Sequence, residues 1–224
     1  MKCRDVSMVA VLTLCLGAAA APAQTYYYLP PDAGPMFRLG IGPSFFQTGR
    51  LTQFGSSVSS PMDFQTGLAL DAAFGWDFNK YVAVDFETGL IGAKISNVPG
   101  FSSANSDLYN VPLLVNVTLS YPIPRTNLVP YIGAGIGGAD VVFNTDNFND
   151  GATMVTGSEN DVVFAGQVFA GLRFRLNPRI SLDLGYKYFA TGNPTFSYPP
   201  SPNFDVGFRG ARTHSVLLAF RFDF

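Results

Sequence analysis

Past residue 15 this chain has no cysteine: its two, Cys3 and Cys15, both lie near the start of 224 residues. A mature chain without them has no disulfide, no cysteine nucleophile and no thiolate metal site. Histidine is reduced to His214 alone, and charged residues make up only 13%. The net charge of -2 lacks the bulk basic character that nucleic-acid binding requires, so no nucleic-acid partner is expected. After Ala23 no apolar run is long enough for a membrane helix. Glycine (23) and phenylalanine (21) are abundant instead. The mean hydropathy is mildly positive, too low for a helical membrane bundle. Strands that alternate apolar and polar residues give such an average.

The first residues read as a secretory signal. Lys2 and Arg4 form a basic start, Met8 to Ala20 an apolar run, and Ala21-Pro22-Ala23 a small-residue cleavage site. Residues 1–23 are therefore expected to be removed. An uncleaved anchor is the alternative, but the run falls short of the roughly 20 residues a span needs. Lipidation at Cys15 is disfavoured by the bulky Leu14 before it. Residues 24–35 form an irregular, proline-rich lead-in, because proline lacks a donor and fixes φ.

The final segment sets the pattern for the rest. In residues 213–224, Val216, Leu218, Phe220, Phe222 and Phe224 share one strand face, and Ser215, Leu217, Ala219, Arg221 and Asp223 the other. The same alternation recurs over 36–46, 64–78, 81–91, 108–121, 129–138, 163–176 and 179–189. In every segment one face is free of Asp, Glu, Lys and Arg. The opposite face carries Arg38, Asp71, Asp77, Asp85, Glu87, Arg173, Arg175, Asp183, Lys187, Arg221 and Asp223. Connections alternate between short (79–80, 122–128, 177–178) and long (47–63, 96–107, 139–162, 190–210), as in transmembrane barrels. Trp76, Phe78, Tyr121, Phe174, Phe222 and Phe224 cluster near the short turns. Phe45, Tyr109, Tyr186 and Tyr188 lie near the long connections, which suits two interfacial girdles.

The expected fold is all-β: an eight-stranded antiparallel up-and-down transmembrane β-barrel over residues 36–224. Its apolar rows face lipid and its charges face the lumen. A soluble barrel with the opposite sense is the alternative, and extraction without detergent would favour it. Pro112 falls within a strand, so a bulge or rim position is expected there.

The ordered set Val111-Pro-Leu-Leu-Val-Asn-Val117, Pro130-Tyr-Ile-Gly-Ala-Gly-Ile-Gly137, Ala170-Gly-Leu-Arg-Phe-Arg175 and Phe220-Arg-Phe-Asp-Phe224 resembles the small eight-stranded outer-membrane barrels. These are the OmpA, OmpX and OmpW-like proteins. The resemblance implies a Gram-negative-type outer membrane, contact with its lipid and lipopolysaccharide, and insertion by the barrel-assembly machinery. Phe220, Phe222 and Phe224 would be part of the assembly signal. In a departure from the OmpA pattern, no peptidoglycan-binding domain is expected after the barrel.

Charges inside a narrow barrel must pair or be hydrated. The expected structural network comprises Arg38, Asp71, Asp85, Glu87, Arg173, Asp183, Lys187 and Arg221. A conducting, OmpW-like lumen for small solutes is the alternative, and a polar lumen argues against a purely hydrophobic conduit. No enzyme, cofactor or metal is expected. Some small outer-membrane barrels hydrolyse lipid with a His-Ser pair, but Ser215 faces away from His214. The acidic stretch 139–162 does not match a calcium loop and reads as a solvated loop. In 190–210, Phe196, Tyr198, Phe204 and Phe208 mark either a contact surface or a return onto the barrel rim. Both stretches are candidate contacts for an extracellular ligand. Residues 55–60 read as a flexible tip.

Overall fold

The computed structural model describes residues 33–101, 103–198 and 204–224. The leader, its cysteines and nearly all of the lead-in lie outside them. Twelve strands occur: β1 Gly34–Phe46, β2 Gly49–Phe54, β3 Ser56–Phe64, β4 Gly67–Asn79, β5 Val82–Asn97 and β6 Ser103–Ser120. Then follow β7 Leu128–Asn149, β8 Met154–Arg175, β9 Ile180–Thr191, β10 Thr195–Ser197, β11 Asp205–Phe208 and β12 Arg212–Asp223.

Eight of these close a ring through antiparallel pairs in the order β1, β4, β5, β6, β7, β8, β9, β12 and back to β1. Closure leaves no free sheet edge, which a backbone in lipid requires. The short turns are set by side chains. Asn79 Oδ1 accepts from the amides of Tyr81 (2.8 Å) and Val82 (3.0 Å). Asn177 Oδ1 does the same for Arg179 and Ile180, each at 2.8 Å. Asn is suited to this because its side chain mimics a backbone turn.

All eight apolar rows face outward. Leu39, Ile41, Phe74, Phe86, Leu113 and Leu218 are among the exposed large side chains. Glycines on the inner face admit large neighbours. A Cβ on Gly133 would lie 2.3 Å from the Phe169 ring, and one on Gly135 1.8 Å from Asn116 Oδ1. At Gly42 the obstacle is main chain: a Cβ there would lie 1.8 Å from the Val216 carbonyl oxygen. Gly42→Ala should therefore cost about 1–3 kcal/mol, the range for overpacking a close contact. Urea unfolding in lipid vesicles, followed by the fluorescence of the single tryptophan, Trp76, checks this.

Pro112 corrects an expectation. It lies mid-strand in β6, opposite Ala139 of β7, and the β6–β7 register shifts at Asn105/Ser106 instead. No bulge forms because the ladder toward β5 simply skips: Leu113 pairs with Thr88 and Asn110 with Ile91, in unbroken register.

The long connections are the larger correction. β7 and β8 each run 22 residues, twice the roughly 9–11 that cross a membrane. Most of 139–162 is paired strand, not loop. Residues 47–63 fold into the β2–β3 hairpin, which turns at Gly55 (φ 65°) and continues as strand from Ser56. The segment read as a flexible tip is thus largely a β-strand. β2 also pairs with β11, β11 with β10, and β3 with the end of β5, so a flap of short strands extends one wall of the barrel.

The sequence pattern explains the missed strands. Alternation continues beyond 138, but the two faces exchange character. On β7 the outward row Ile132, Ala134, Ile136 becomes Gly138, Asp140, Val142, Asn144, while the inward row Gly133, Gly135, Gly137 becomes Ala139, Val141, Phe143. Outside the bilayer, water takes the place of lipid, so the apolar side must turn inward.

Candidate functional site

The interior divides into two zones. Between the short-turn ends and mid-barrel it is charged. Arg38 (β1), Asp71 (β4), Asp85 and Glu87 (β5), Arg173 and Arg175 (β8), Asp183 and Lys187 (β9) and Arg221 and Asp223 (β12) are all buried. Strand alternation aims each of them at the axis.

Arg38, Asp71, Glu87 and Lys187 form one cluster. Arg38 Nη2 donates to Glu87 Oε2 at 2.7 Å and lies 3.8 Å from Asp71. Lys187 Nζ donates to Asp71 Oδ2 at 2.6 Å and also to Glu87. Asp85 joins through an amide: Asn116 Nδ2 donates to Asp85 (2.7 Å) and Glu87 (3.0 Å), and Gln167 donates to Asn116 at 2.8 Å. Arg173 and Asp183 make a separate bidentate pair, at 2.9 and 3.1 Å. Arg221 bonds neither of these groups but bridges Asp223 (2.7 Å) and Asp77.

The sequence reading named the titratable members and left out the amides that join them. Asn116 and Gln167 sit at inward parity, which was the available signal. Tyr131 and Phe169 were also missed; Arg173 lies 5.4 Å from the Tyr131 ring centre and Arg38 5.9 Å from that of Phe169. The cavities left here are small, about 20 Å³ beside Arg38 and Lys187 and about 10 Å³ beside Arg175 and Arg221. A single water needs about 10–15 Å³.

The outer zone is richer in apolar side chains, with Ser44, Asn110, Thr213 and Ser215 buried among them. Ala69, Ile91, Leu114, Ala139, Ala165, Phe189 and Leu217 pack as one layer. Above it Leu51, Phe54, Met62, Phe143, Phe148, Phe196, Tyr198 and Phe208 belong to a second cluster. Phe143 is its hub, with ring centres of Phe208 at 4.8 Å, Phe148 at 5.5 Å and Phe196 at 5.7 Å. Of the aromatics of 190–210, Phe196, Tyr198 and Phe208 are thus buried inside the wall, and Phe204 is half-buried against them. Tyr198 donates to the Phe143 carbonyl at 3.1 Å, and burial pushes its hydroxyl pKa up.

The acidic stretch is tied into the strands. Asn160 donates to Asp140 at 2.8 Å and the Thr195 amide donates to Asp161 at 2.9 Å. Asp150 caps the tip turn: the Thr153 and Ala152 amides donate to it and hold its carboxyl below the usual range. Among the described residues no group of acids, His or Cys is arranged to hold a metal ion.

His214 lies on the outer face near the flap. Its Nδ1 is 2.5 Å from the Tyr186 hydroxyl and its Nε2 2.7 Å from Gln47 Nε2. Tyr188 packs at 5.1 Å between ring centres, while Ser215 is buried on the lumen side.

Comparison with known proteins is consistent with this geometry. No curated protein sequence matches the chain. Solved structures share the fold. Neisserial surface protein A is 14% identical, with a TM-score of 0.53 over 87% of this chain and 100% of that one. The outer membrane protein OprG from Pseudomonas aeruginosa is 13% identical, with a TM-score of 0.56 over 88% and 100%. The model of the outer membrane protein beta-barrel domain matches residues 10–224. With lipid-facing rows, a closed eight-stranded ring and that match, the chain belongs to the outer membrane protein beta-barrel domain family and resides in the outer membrane.

Proposed function

We propose that this barrel is closed to solutes and serves a structural and interaction role, holding its rigid β-extension outside the membrane. One observation carries the reading: the charged zone leaves cavities of only about 20 and 10 Å³, and aromatic rings pack the zone above. Eight strands leave just enough room for side chains to fill the interior. The chain recorded in planar bilayers should show no stable open state. A stepwise, salt-dependent conductance would overturn the closed reading.

A narrow passive conduit for small solutes is the second reading. A cavity of about 100 Å³ within the apolar zone favours it.

The same proposal includes no catalysis, since Ser215 is on the wrong side of the strand for His214. Release of fatty acid from lipid A by the purified chain would refute this. It also includes a cleaved leader ending at Ala23, and insertion by the barrel-assembly machinery through Phe220, Phe222 and Phe224. The outer leaflet, with its lipopolysaccharide, is the proposed surrounding of the upper girdle. A ligand outside the cell would meet the polar outward faces of 139–162 and the flap.

A further inference from the structure

The 100 Å³ cavity has an asymmetric lining. It lies where the chain leaves β1 and enters β12, under the flap. Its walls are Phe46, Met62, Phe64, Leu108, Val141 and Phe208. Its mouth carries Gln47, Thr48, Arg209 and Arg212. A packing defect would be lined by apolar atoms alone; an apolar floor beneath two arginines is built differently.

The mouth is held in place. The Arg209 amide donates to the Arg50 carbonyl at 2.8 Å and the Gln47 amide donates to the Arg212 carbonyl at 2.9 Å. The Gln47 side chain is anchored on His214 at 2.7 Å. Gly210 between the arginines is fixed by contact, since a Cβ there would lie 2.0 Å from the Thr191 carbonyl oxygen. Arg209 and Arg212 are exposed, and neither forms an ion pair with a described residue. Thr48 at the mouth donates to the nearby carboxylate of Asp63 at 3.4 Å. Among the described residues that line the cavity, the two arginines are the charged ones, which leaves the mouth positive.

We propose that this cavity binds an anionic amphiphile, with its carboxylate or phosphate head on Arg209 and Arg212 and the start of its alkyl chain on Phe64, Met62 and Phe208. Arginine is suited to this because its planar fork matches both head groups. The site needs both parts of the ligand: the head alone is held in water by exposed arginines, and the chain alone meets a polar mouth. It stands whether or not the lumen conducts.

The test uses the refolded chain in nanodiscs of zwitterionic lipid, titrated with hexanoate, hexanol and acetate while backbone amide resonances are followed. Hexanoate should saturate, with shifts at Gly49 and Gly210; hexanol and acetate should bind at least about tenfold more weakly. The double variant Arg209→Gln/Arg212→Gln should weaken hexanoate at least about tenfold and leave hexanol unchanged. Its exposed positions keep the barrel foldable, which heat-modifiable migration on gels verifies. Discs containing anionic lipid separate the sources: competition with hexanoate assigns the site to a bilayer lipid, and lack of competition assigns it to a free amphiphile. Non-saturable hexanoate shifts, hexanol binding as tight as hexanoate, or a double variant that binds like the parent would each overturn the proposal.

Discussion

Lys187→Met is expected to lower stability by about 3–5 kcal/mol, the usual cost of removing one partner from a buried ion pair. Lys187 contacts both Asp71 and Glu87, and all three side chains are at least nine-tenths buried. Without it, Arg38 alone faces Asp71, Asp85 and Glu87, beside a cavity of about 20 Å³ that holds little more than one water. The double change Lys187→Met, Asp71→Asn should recover part of the loss, because Arg38 keeps its contact with Glu87 and the net charge of the cluster returns to that of the parent. Urea titration in vesicles with Trp76 fluorescence measures both. A single variant within about 0.5 kcal/mol of the parent would mean that the cluster is bathed in water. The closed lumen would then be abandoned.

The second large effect concerns the outer face. Leu218 lies midway along β12 and is 55% exposed in the isolated chain. Leu218→Arg should cost about 2–4 kcal/mol, the penalty for a cation at the bilayer midplane. Met154, at the tip of the β7–β8 hairpin, is 60% exposed. Met154→Arg should stay within about 0.5 kcal/mol, as for ordinary surface changes. Similar exposure with unequal cost is the mark of two solvents around one molecule. If both variants unfold alike, the apolar rows are not facing lipid.

These two positions also show how much was legible in the residues. Leu218 was assigned correctly because period-2 alternation depends only on backbone geometry. The same holds for Arg38, Asp71, Glu87 and Lys187: each could be aimed inward from its own strand. Which of them meet could not be read, because Lys187 and Glu87 are 100 positions apart and the shear of the barrel decides which residues share a level. Asn116 was passed over because an amide carries no charge, yet it joins Asp85 to Glu87. Val141, Phe143 and Val155 were lost to a loop assignment, since their pattern is that of a half-buried strand in water, the reverse of the strand in lipid that precedes it.

The sequence by itself determined the alternation, the eight spanning strands, the lipid-facing rows and the inward aim of every lumen charge. All of these follow from side chains that alternate across a strand and from the cost of an ion in hydrocarbon. The tertiary structure decided what those inward groups do together. Ring closure brought Lys187 to Asp71 and Glu87, stacked the flap aromatics Phe196 and Phe208 on Phe143, and set Arg209 and Arg212 over an apolar pocket. Such contacts join residues far apart in the chain, and only the register and curvature of the closed sheet select them.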